Sequence, residues 1–461
     1  MRGAYMRIIL RVMNRKMLRR ILIETSFFGF GALAMVTLSL AITVLTYSLT
    51  LGAVVSAQEP GLTVDAEDII AQVHPYAFGA NFGPLSVVTI DLFDAAADSG
   101  ITFLRFPGGR WGDLNDLQHF HIDTFMSTIS IVGAEPSIHV RLENGTPEAA
   151  AELVHYTNIE KEYGVRYWYI GNEPNLFDDY TVAEYVVQWR AIAEAMLEVD
   201  PDIILIGPEV SQWNGTPQVD PVDAEGVDWL RGFLQANGDM VDIVAVHRYP
   251  FPRSMANPVS TVEELRENTP EWGNTLENLR QVILEETGRT DLPVAITEAN
   301  SHWSSASQGE ASPDSHYNAV WWADSFGRLL QDEPEIIGYF DFQSLPSRGG
   351  WGLLARNDVR PTYYTYQLYK QFGTQVVATA SDVDYLTIYG ALRDDGALTL
   401  IAVNRADDEL SGPLTINGFS GEVSEAHILT ESVLAEPVDN TFLVDGVLTL
   451  PGRSVVLLVL E

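Results

Sequence analysis

The sequence predicts an α/β protein: a (β/α)8 TIM barrel with a C-terminal antiparallel β-sandwich domain. Three observations support this fold class. From Gly61 onward, short apolar runs alternate with helical stretches, which is the pattern of βα units. Eight such runs can be counted over roughly 300 residues, a typical size for a barrel with extended loops. After Phe372 the pattern changes to short alternating segments separated by turn signals such as Asp394-Asp395-Gly396.

The strands predicted for the barrel follow in chain order. They are Tyr76–Phe82, Ile101–Phe106, Pro136–Leu142, Tyr167–Ile170, Ile203–Ile206, Val241–Val246, Leu292–Thr297 and Ile337–Phe342. The fourth is the clearest, because aromatic and β-branched residues run without a charge before Gly171-Asn172-Glu173-Pro174 ends the strand. The seventh strand is also apolar, and Glu298 follows it directly.

Helices are predicted between these strands. Thr181–Val199 is the clearest, because acidic residues precede it and Pro201 follows its end. Further helices are predicted within Val262–Glu286, over Asn318–Gln331 and over the tyrosine-rich Pro361–Phe372. In the C-terminal domain the expected strands are Asp384–Ala391, Ala397–Asn404, Gly412–Ile416, Glu425–Thr430, Thr441–Val444 and Ser454–Leu460, with Gly61–Val73 as a candidate additional strand.

The N-terminal residues have the composition of an export signal. A basic stretch, Arg15 to Arg20, precedes an uncharged run from Thr25 to Gln58, and Val55-Ser56-Ala57 fits a small-residue cleavage site. The run is also long enough for an uncleaved membrane anchor. The protein is therefore expected outside the cytoplasm, secreted or anchored on the outer face of the cytoplasmic membrane. The predicted segments are a signal peptide or anchor (1–57), a linker with a candidate sandwich strand (58–75), the barrel (76–372) and the sandwich (373–461).

The chain is strongly acidic. Its formal charge is −36, from 63 acidic and 27 basic residues. Residues 1–57 hold seven basic residues and one acidic residue, so the remainder carries −42. This charge argues against nucleic acid or anionic membrane surfaces as partners, because phosphate contacts need Lys and Arg. Solubility is its simplest interpretation, and a saline habitat is another. The chain has no cysteine, which excludes disulfides and thiol chemistry.

Two of the predicted strands deliver a glutamate at their ends. In a parallel barrel the C-terminal ends of the strands carry the chemistry. Strands four and seven face each other across a barrel mouth, which places Glu173 opposite Glu298. Glycoside hydrolysis needs such a pair, one carboxyl group to protonate the leaving oxygen and one to attack C1 or activate water. We assign Glu173 as the acid/base and Glu298 as the nucleophile.

Other residues at the strand ends are candidates for support or substrate binding. Asn172 is expected to hydrogen-bond the sugar hydroxyl next to C1, His247 and Tyr249 to orient Glu298, and Arg105 to keep Glu298 ionised. The remaining substrate-binding candidates are Asn81, His139, Glu209, Trp303, Gln343 and Trp351, and the loop residues Trp111 and Trp213 are further candidates for sugar stacking. A structural salt bridge for Glu209 and a core position for His139 are equally good readings.

Taken together, these strand ends resemble glycoside hydrolase clan A, the retaining (β/α)8 glycosidases with Asn-Glu after strand four and Glu after strand seven. The resemblance covers Ala77 to Phe372. Leu104-Arg105-Phe106-Pro107-Gly108-Gly109 with Gly171-Asn172-Glu173-Pro174 resembles the α-L-arabinofuranosidase family, and the β-xylosidase/iduronidase and β-glucuronidase/heparanase families have similar strand ends. The resemblance implies double displacement through a glycosyl ester on Glu298.

No cofactor and no catalytic metal are predicted. The histidines outside the strand ends (His74, His119, His121 and His316) show no metal-ligand spacing with carboxylates. No phosphate loop or dinucleotide fingerprint appears where a strand meets a helix. The expected partner is a carbohydrate, with no nucleic acid and no membrane contact beyond an N-terminal anchor, and the sequence leaves the oligomeric state open.

The sequence thus predicts a secreted retaining glycoside hydrolase acting on plant or microbial polysaccharides or oligosaccharides. Arabinofuranosides and xylosides are favoured over glucuronides. A transglycosylase using the same residues is one alternative, and a non-catalytic carbohydrate-binding barrel is another. The facing carboxylates count against the binder, because bringing like charges together is costly. The anomer and the choice between endo and exo action stay open.

Overall fold

The computed structural model describes residues 60–253, 260–304, 306, 309–344 and 350–461. The predicted leader, residues 1–57, lies outside them. Among the residues described, no helix combines the length and the apolar composition needed to cross a membrane.

Eight parallel strands close into a barrel, which confirms the predicted fold class. The first strand of the chain, β1 (Leu62–Gln72), belongs to the C-terminal sheet. The barrel strands are β2 (Phe78–Asn81), β3 (Phe103–Phe106), β4 (Glu135–Val140), β5 (Tyr167–Ile170), β6 (Ile204–Val210), β7 (Ile243–Arg248), β8 (Val294–Ala299) and β9 (Ile336–Tyr339). Each overlaps a predicted strand, because strands buried on both faces read as continuous apolar runs.

Side chains of the barrel strands alternate between two cores. On β5, Tyr167 and Tyr169 point into the barrel, where they pack with Phe103, Ile206 and Ala245. The residues between them, such as Trp168, pack against the surrounding helices. This alternation follows from the two-residue period of a strand. It also determines which polar side chains reach the barrel interior at the strand ends.

The helices surround the barrel. They are α1 (Phe93–Ala97), α2 (Trp111–Leu114), α3 (His119–Val132), α4 (Pro147–Val154), α5 (Val182–Val199), α6 (Trp229–Asn237), α7 (Val262–Asn268), α8 (Trp272–Thr287), α9 (His316–Leu330) and α10 (Pro361–Tyr369). The predicted helical segment Val262–Glu286 contains two helices, α7 and α8. A 3-10 turn at Thr269–Glu271 separates them, where Pro270 lacks the N–H that a continuous helix needs.

The C-terminal domain is a ten-stranded, mostly antiparallel sheet. After β1, its strands are β10 (Gln375–Ser381), β11 (Leu386–Leu392), β12 (Leu398–Asn404), β13 (Leu410–Asn417), β14 (Val423–Leu429), β15 (Leu434–Pro437), β16 (Leu443–Val444), β17 (Val447–Leu450) and β18 (Ser454–Leu460). The order is β15-β14-β18-β12-β11-β10-β1-β13-β17-β16. Residues from both halves of this order, such as Leu400 and Leu448, share one apolar core. The candidate segment Gly61–Val73 contains β1, which pairs antiparallel with β10 and parallel with β13.

The sheet is fixed to the barrel through a buried charge on α9. The carboxylate of Asp324 contacts Arg405 Nε at 3.1 Å and Arg328 Nε at 3.2 Å. It also accepts hydrogen bonds from Thr387 and from Tyr389 (2.6 Å), both on β11. Because Asp324 is fully buried, this cluster keeps the two domains in one relative position.

Candidate active site

Two local irregularities turn glutamates toward the centre of the barrel mouth. The pairing of β7 with β8 shifts by one residue, so that His247 lies opposite Glu298 instead of Thr297. The pairing of β6 with β7 shifts between Pro208 and Val210. A shift of one residue moves a side chain to the other face of a strand. Glu209 and Glu298 therefore point inward, where regular strands would turn them toward the helices.

Four donors surround the carboxylate of Glu298. Its Oε1 accepts hydrogen bonds from Arg105 Nη1 at 2.7 Å and from the backbone N–H of Gly109 at 3.0 Å. Its Oε2 accepts one from the Tyr249 hydroxyl at 2.7 Å and lies 3.7 Å from His247 Nδ1. Charge-assisted bonds of this kind are short and hold the carboxylate in one orientation. The predicted association of Arg105, His247 and Tyr249 with Glu298 is present in this geometry.

Glu173 lies at the end of β5, in a left-handed backbone conformation with φ of 51°. Its Oε1 is 3.2 Å from His247 Nδ1. Its backbone N–H donates to the carbonyl of Glu209 at 3.0 Å. The side chain is 16% exposed, against 4% for Glu298. Glu173 is thus the more accessible of the two carboxylates, as an acid that must reach a leaving group requires.

His247 connects the carboxylates and carries a proton. Burial alone would lower its pKa, but the charges of Glu298 and Glu209 and the hydrogen bond to Glu173 outweigh burial and raise the pKa to about 10. Burial raises the pKa of Glu173, yet the hydrogen bond and charge of His247 bring it below its usual value. A general acid is expected to have a raised pKa. Both shifts favour a proton on His247 over a proton on Glu173 in the substrate-free site.

The two predicted catalytic groups are close together. One oxygen of Glu173, one of Glu298 and a ring nitrogen of His247 all lie within 4.8 Å of one another. Three such atoms could surround a cation. The expectation of no catalytic metal stays a prediction.

A pocket of about 800 Å³ opens above the two glutamates. Both glutamates and Tyr249 line it, together with Trp303 and Trp351. The indole N–H groups of the two tryptophans donate to the carbonyls of Pro252 and His302, at 2.8 Å each. These bonds fix flat apolar surfaces beside the carboxylates, which suits the C–H faces of a sugar. The other two loop tryptophans, Trp111 and Trp213, are not among the residues that line this pocket.

Four of the predicted substrate-binding residues are buried, and their predicted contacts with a sugar stay predictions. Asn81, His139 and Glu209 are 0% exposed, and Gln343 is 2% exposed. None of the four is in the lining of the pocket. Asn81 accepts from Arg105 at 2.9 Å and His139 lies 3.4 Å from Asp113, so both support neighbouring residues. Gln343 donates to the carbonyl of Ala355 at 3.3 Å. The ion pair of Glu209 with Arg105 and the core position of His139 agree with the alternative readings of these two residues.

Asn172 is also fully buried, beside Glu173. Its Oδ1 accepts from Arg105 Nη2 at 2.7 Å. Its Nδ2 has no hydrogen-bond partner within the described part of the chain. A donor left free in this way is available to a ligand hydroxyl that enters the site.

Two supporting residues were missed by the sequence analysis. Asp113 accepts the backbone N–H groups of Asn172 (2.8 Å) and Leu142 (2.8 Å), and so ties the ends of β4 and β5 together. It lies in the short helix α2 after β3, where no periodic pattern marks a buried residue. Gly109 donates to Glu298 from the turn that precedes α2. Adjacent glycines indicate a tight turn or a close backbone approach, but not which group the main chain approaches.

Comparison with known proteins gives the same type of fold and chemistry. Residues 161–406, more than half of the chain, match the family model described as Glycosyl hydrolases family 39. A "Probable alpha-L-arabinofuranosidase C" of Aspergillus fumigatus is 26% identical over 157 residues, which are 25% of this chain and 31% of that protein. A "Beta-xylosidase" of Geobacillus stearothermophilus is 25% identical over 240 residues, 46% of this chain and 43% of that protein. The chain thus spans less than half the length of these relatives.

A solved structure shares the architecture. The α-L-arabinofuranosidase of Thermotoga maritima, in an arabinose complex, superposes with a TM-score of 0.65 at 18% identity. The superposition covers 87% of this chain and 99% of that one. At this identity the similarity concerns the fold alone.

Proposed function

This chain belongs to glycosyl hydrolases family 39, and from that membership we propose that it is a retaining glycosidase with Glu298 as nucleophile and Glu173 as acid/base. One observation carries the proposal: one carboxylate oxygen of Glu173 and one of Glu298 lie within 4.8 Å of each other in the pocket. Whole carboxyl groups are about 5–5.5 Å apart in retaining enzymes and about 6.5–9.5 Å apart in inverting enzymes, which must admit a water between them. So close an approach of two oxygens supports the retaining arrangement.

The first step forms an ester. Glu298 attacks C1 of the bound sugar, the bond from C1 to the leaving oxygen breaks, and Glu173 gives that oxygen a proton. Glu173 takes this proton from the His247 imidazolium 3.2 Å away, since the two groups titrate as a pair. In the second step Glu173 removes a proton from water, the water oxygen bonds to C1, and the ester bond to Glu298 breaks.

The side chains around the pair support this assignment. Arg105, the N–H of Gly109 and Tyr249 hold Glu298 in one orientation. Burial and the charge of Glu298 raise the pKa of Tyr249 well above its usual value, so Tyr249 remains a donor across the working pH range. The substrate we propose first is an arabinofuranoside or xyloside, in keeping with the names of the two curated relatives.

A glucuronide is the second candidate, and the pocket walls favour it. Arg110 and Arg253 line the pocket of a chain whose formal charge is −36. Arg253 lies over the Phe251 ring at 5.5 Å and forms no ion pair within the described residues. Cations at a pocket mouth attract an anionic ligand and are screened by salt. Turnover of a glucuronide that exceeds xyloside turnover and falls steeply with NaCl would support this candidate.

The test is a panel of nitrophenyl glycosides offered to the wild type, Glu173→Ala and Glu298→Ala, each with and without azide. We expect one glycone to be cleaved with retention by the wild type. Each alanine variant should lose at least about 100-fold in kcat, the order of magnitude that a removed catalytic group supplies. Azide should restore turnover, because it replaces the missing carboxylate. Full activity in Glu298→Ala would disprove the assignment.

We also propose that the protein acts outside the cytoplasm. The basic stretch and the long uncharged run of residues 1–57 support this location. Amino-terminal sequencing of the protein recovered from culture medium and from membranes would distinguish cleavage after Ala57 from an uncleaved anchor. Recovery only from the cytoplasm would contradict export.

A further inference from the structure

The proposed mechanism assigns no role to one carboxylate of the site, that of Glu209. Glu209 is fully buried and does not line the pocket. Its Oε2 lies 2.8 Å from Arg105 Nη2, in an ion pair, and 2.9 Å from His247 Nε2. Its Oε1 accepts the hydroxyl of Thr297 at 2.7 Å. Both oxygens are therefore engaged by protein groups, and the side chain of Glu209 has no exposed surface that a sugar could contact.

We propose that Glu209 is a positioning residue, which fixes Arg105 and the His247 imidazolium and keeps the proton shared by His247 and Glu173 bound over the working pH range. The inference rests on the proposed function for its catalytic meaning. Its structural content, the charge state of His247, can be measured without turnover.

The geometry makes Glu209 the common anchor of both cations. Arg105 reaches Glu298 with Nη1 and Glu209 with Nη2. His247 reaches Glu173 with Nδ1 and Glu209 with Nε2. Each cation thus contacts one catalytic carboxylate and, on its other side, Glu209. The carbonyl of Glu209 also accepts the backbone N–H of Glu173.

The backbone conformations of Glu209 and Glu173 show that their surroundings hold both residues in place. Glu209 has φ of 61° and Glu173 has φ of 51°, both in the left-handed region. Such conformations are disfavoured in non-glycine residues and persist only where the surroundings impose them. A main-chain hydrogen bond joins these two strained residues. The end of β5, which carries the proposed acid/base, is therefore held in a fixed position relative to β6, which carries Glu209.

The charges around His247 explain the effect on the proton. The groups facing it are Glu173 after β5, Glu209 on β6, Glu298 on β8, Arg105 on β3 and Tyr249 after β7. The three carboxylates favour the protonated ring, and their combined charge outweighs that of the one guanidinium, which disfavours it. Removal of the Glu209 charge makes the cluster less negative, so the shared proton should dissociate at a lower pH.

The deciding variant is Glu209→Gln in the full-length protein, because glutamine keeps the shape and an oxygen for Arg105 and His247 but removes the charge. We expect the high-pH limb of kcat/KM to move down by about one pH unit or more. KM at the optimum should stay within about threefold of wild type, since Glu209 does not touch the substrate. Glu209→Asp keeps the charge, and its high-pH limb should return toward the wild-type position even if kcat is lower.

A second measurement does not depend on turnover. In protein labelled with ¹⁵N-histidine, the His247 signal, identified by its loss in His247→Gln, should remain that of an imidazolium up to about pH 9 in the wild type. In Glu209→Gln it should titrate at least about one unit lower. If His247 in the wild type titrates near its ordinary value, the proposal is wrong whether or not Glu209→Gln folds.

The matched control is Asp324→Asn, which also removes a fully buried, arginine-paired carboxylate but lies on α9, away from the site. It should lower stability and leave both the pH profile and the His247 titration unchanged. An unmoved high-pH limb and His247 titration in Glu209→Gln would reduce Glu209 to a structural residue. A raised KM with unchanged kcat would make it a substrate contact. Failure of the glycoside panel with a shifted His247 titration would overturn the proposed function but not the positioning.

Discussion

Gly109 brings main chain directly onto the nucleophile. Its φ is +71°, and its N–H donates to Glu298 Oε1 at 3.0 Å. A Cβ there would meet the Phe340 ring at 3.5 Å, an ordinary contact, so space does not forbid alanine. The conformation does, because an L-residue in the left-handed region is disfavoured by about 1–2 kcal/mol.

Gly109→Ala should therefore lose activity as well as stability. Relaxation of the strained backbone turns the N–H away from Glu298, and misplacement of a reacting group by about 1 Å can lower kcat by about 10²-fold. Gly133→Ala is the control, because Gly133 ends α3 with φ of +79° and has nothing within 4 Å of its Cβ position. Unfolding in urea should show a similar cost for both. Equal kcat/KM in the two variants would show that the Gly109 bond is dispensable.

The meeting of Glu173, Glu298, His247 and Tyr249 at one barrel mouth was predictable from single residues at strand ends. Glu173 and Glu298 each follow an apolar strand, and His247 and Tyr249 follow another. Burial of Glu209 was not predictable, because a one-residue shift at β6 reverses the face on which a side chain lies. The supporting role of Asp113 was not predictable either. It depends on backbone N–H groups at the ends of β4 and β5, which only the folded chain brings together.

The strands were easier to predict than the helices. Parallel strands buried on both faces form apolar runs that need no knowledge of their partners. The helix α3 was not predicted. The break at Pro270, which separates α7 from α8, was also not predicted, because a single helical segment was drawn across it. In the C-terminal sheet, hydrophobic alternation located many of the strands. The parallel pairing of β1 with β13 joins segments about 350 residues apart, and no local pattern encodes it.

The contact between α9 and the C-terminal sheet predicts a pH dependence of stability. Burial would raise the pKa of Asp324, but Arg405 and Arg328 outweigh it and lower the pKa to about 2. A lowered carboxyl pKa stabilises the fold above the ordinary pKa near 4, and this stability is lost as the pH falls toward 2. The contribution is about 2–3 kcal/mol, because the pKa of Asp324 is lowered by nearly two pH units and each corresponds to about 1.4 kcal/mol.

Urea unfolding between pH 6 and pH 2.5 would measure this term. Asp324→Asn should cost roughly 3–5 kcal/mol at pH 6, because it leaves buried arginines without their partner. The gap to the wild type should narrow as the pH falls. Asp291→Asn removes an exposed carboxylate paired with Arg289 and should follow the wild-type curve throughout. A gap that stays constant with pH would show that packing, and not charge, makes the contact.

The net charge affects the molecule as a whole and not its fold class. At pH 7 the formal charge is −36, and the sequence pI is about 4.4. Like charges at this density repel one another and destabilise the compact state. Salt shortens the range of that repulsion, from a Debye length of about 30 Å at 0.01 M to about 8 Å at 0.15 M.

Thermal unfolding in increasing NaCl should therefore depend on pH. At pH 7.5 we expect Tm to rise between 10 mM and 500 mM NaCl, with most of the rise complete by about 0.15 M, where screening is already strong. At a pH near the pI of about 4.4 the net charge is close to zero, and the same salt should change Tm little. Calorimetry at the two pH values isolates self-repulsion, because effects of salt on apolar hydration act at both. Equal salt slopes at both pH values would mean that the excess of acidic residues serves solubility without destabilising the folded chain.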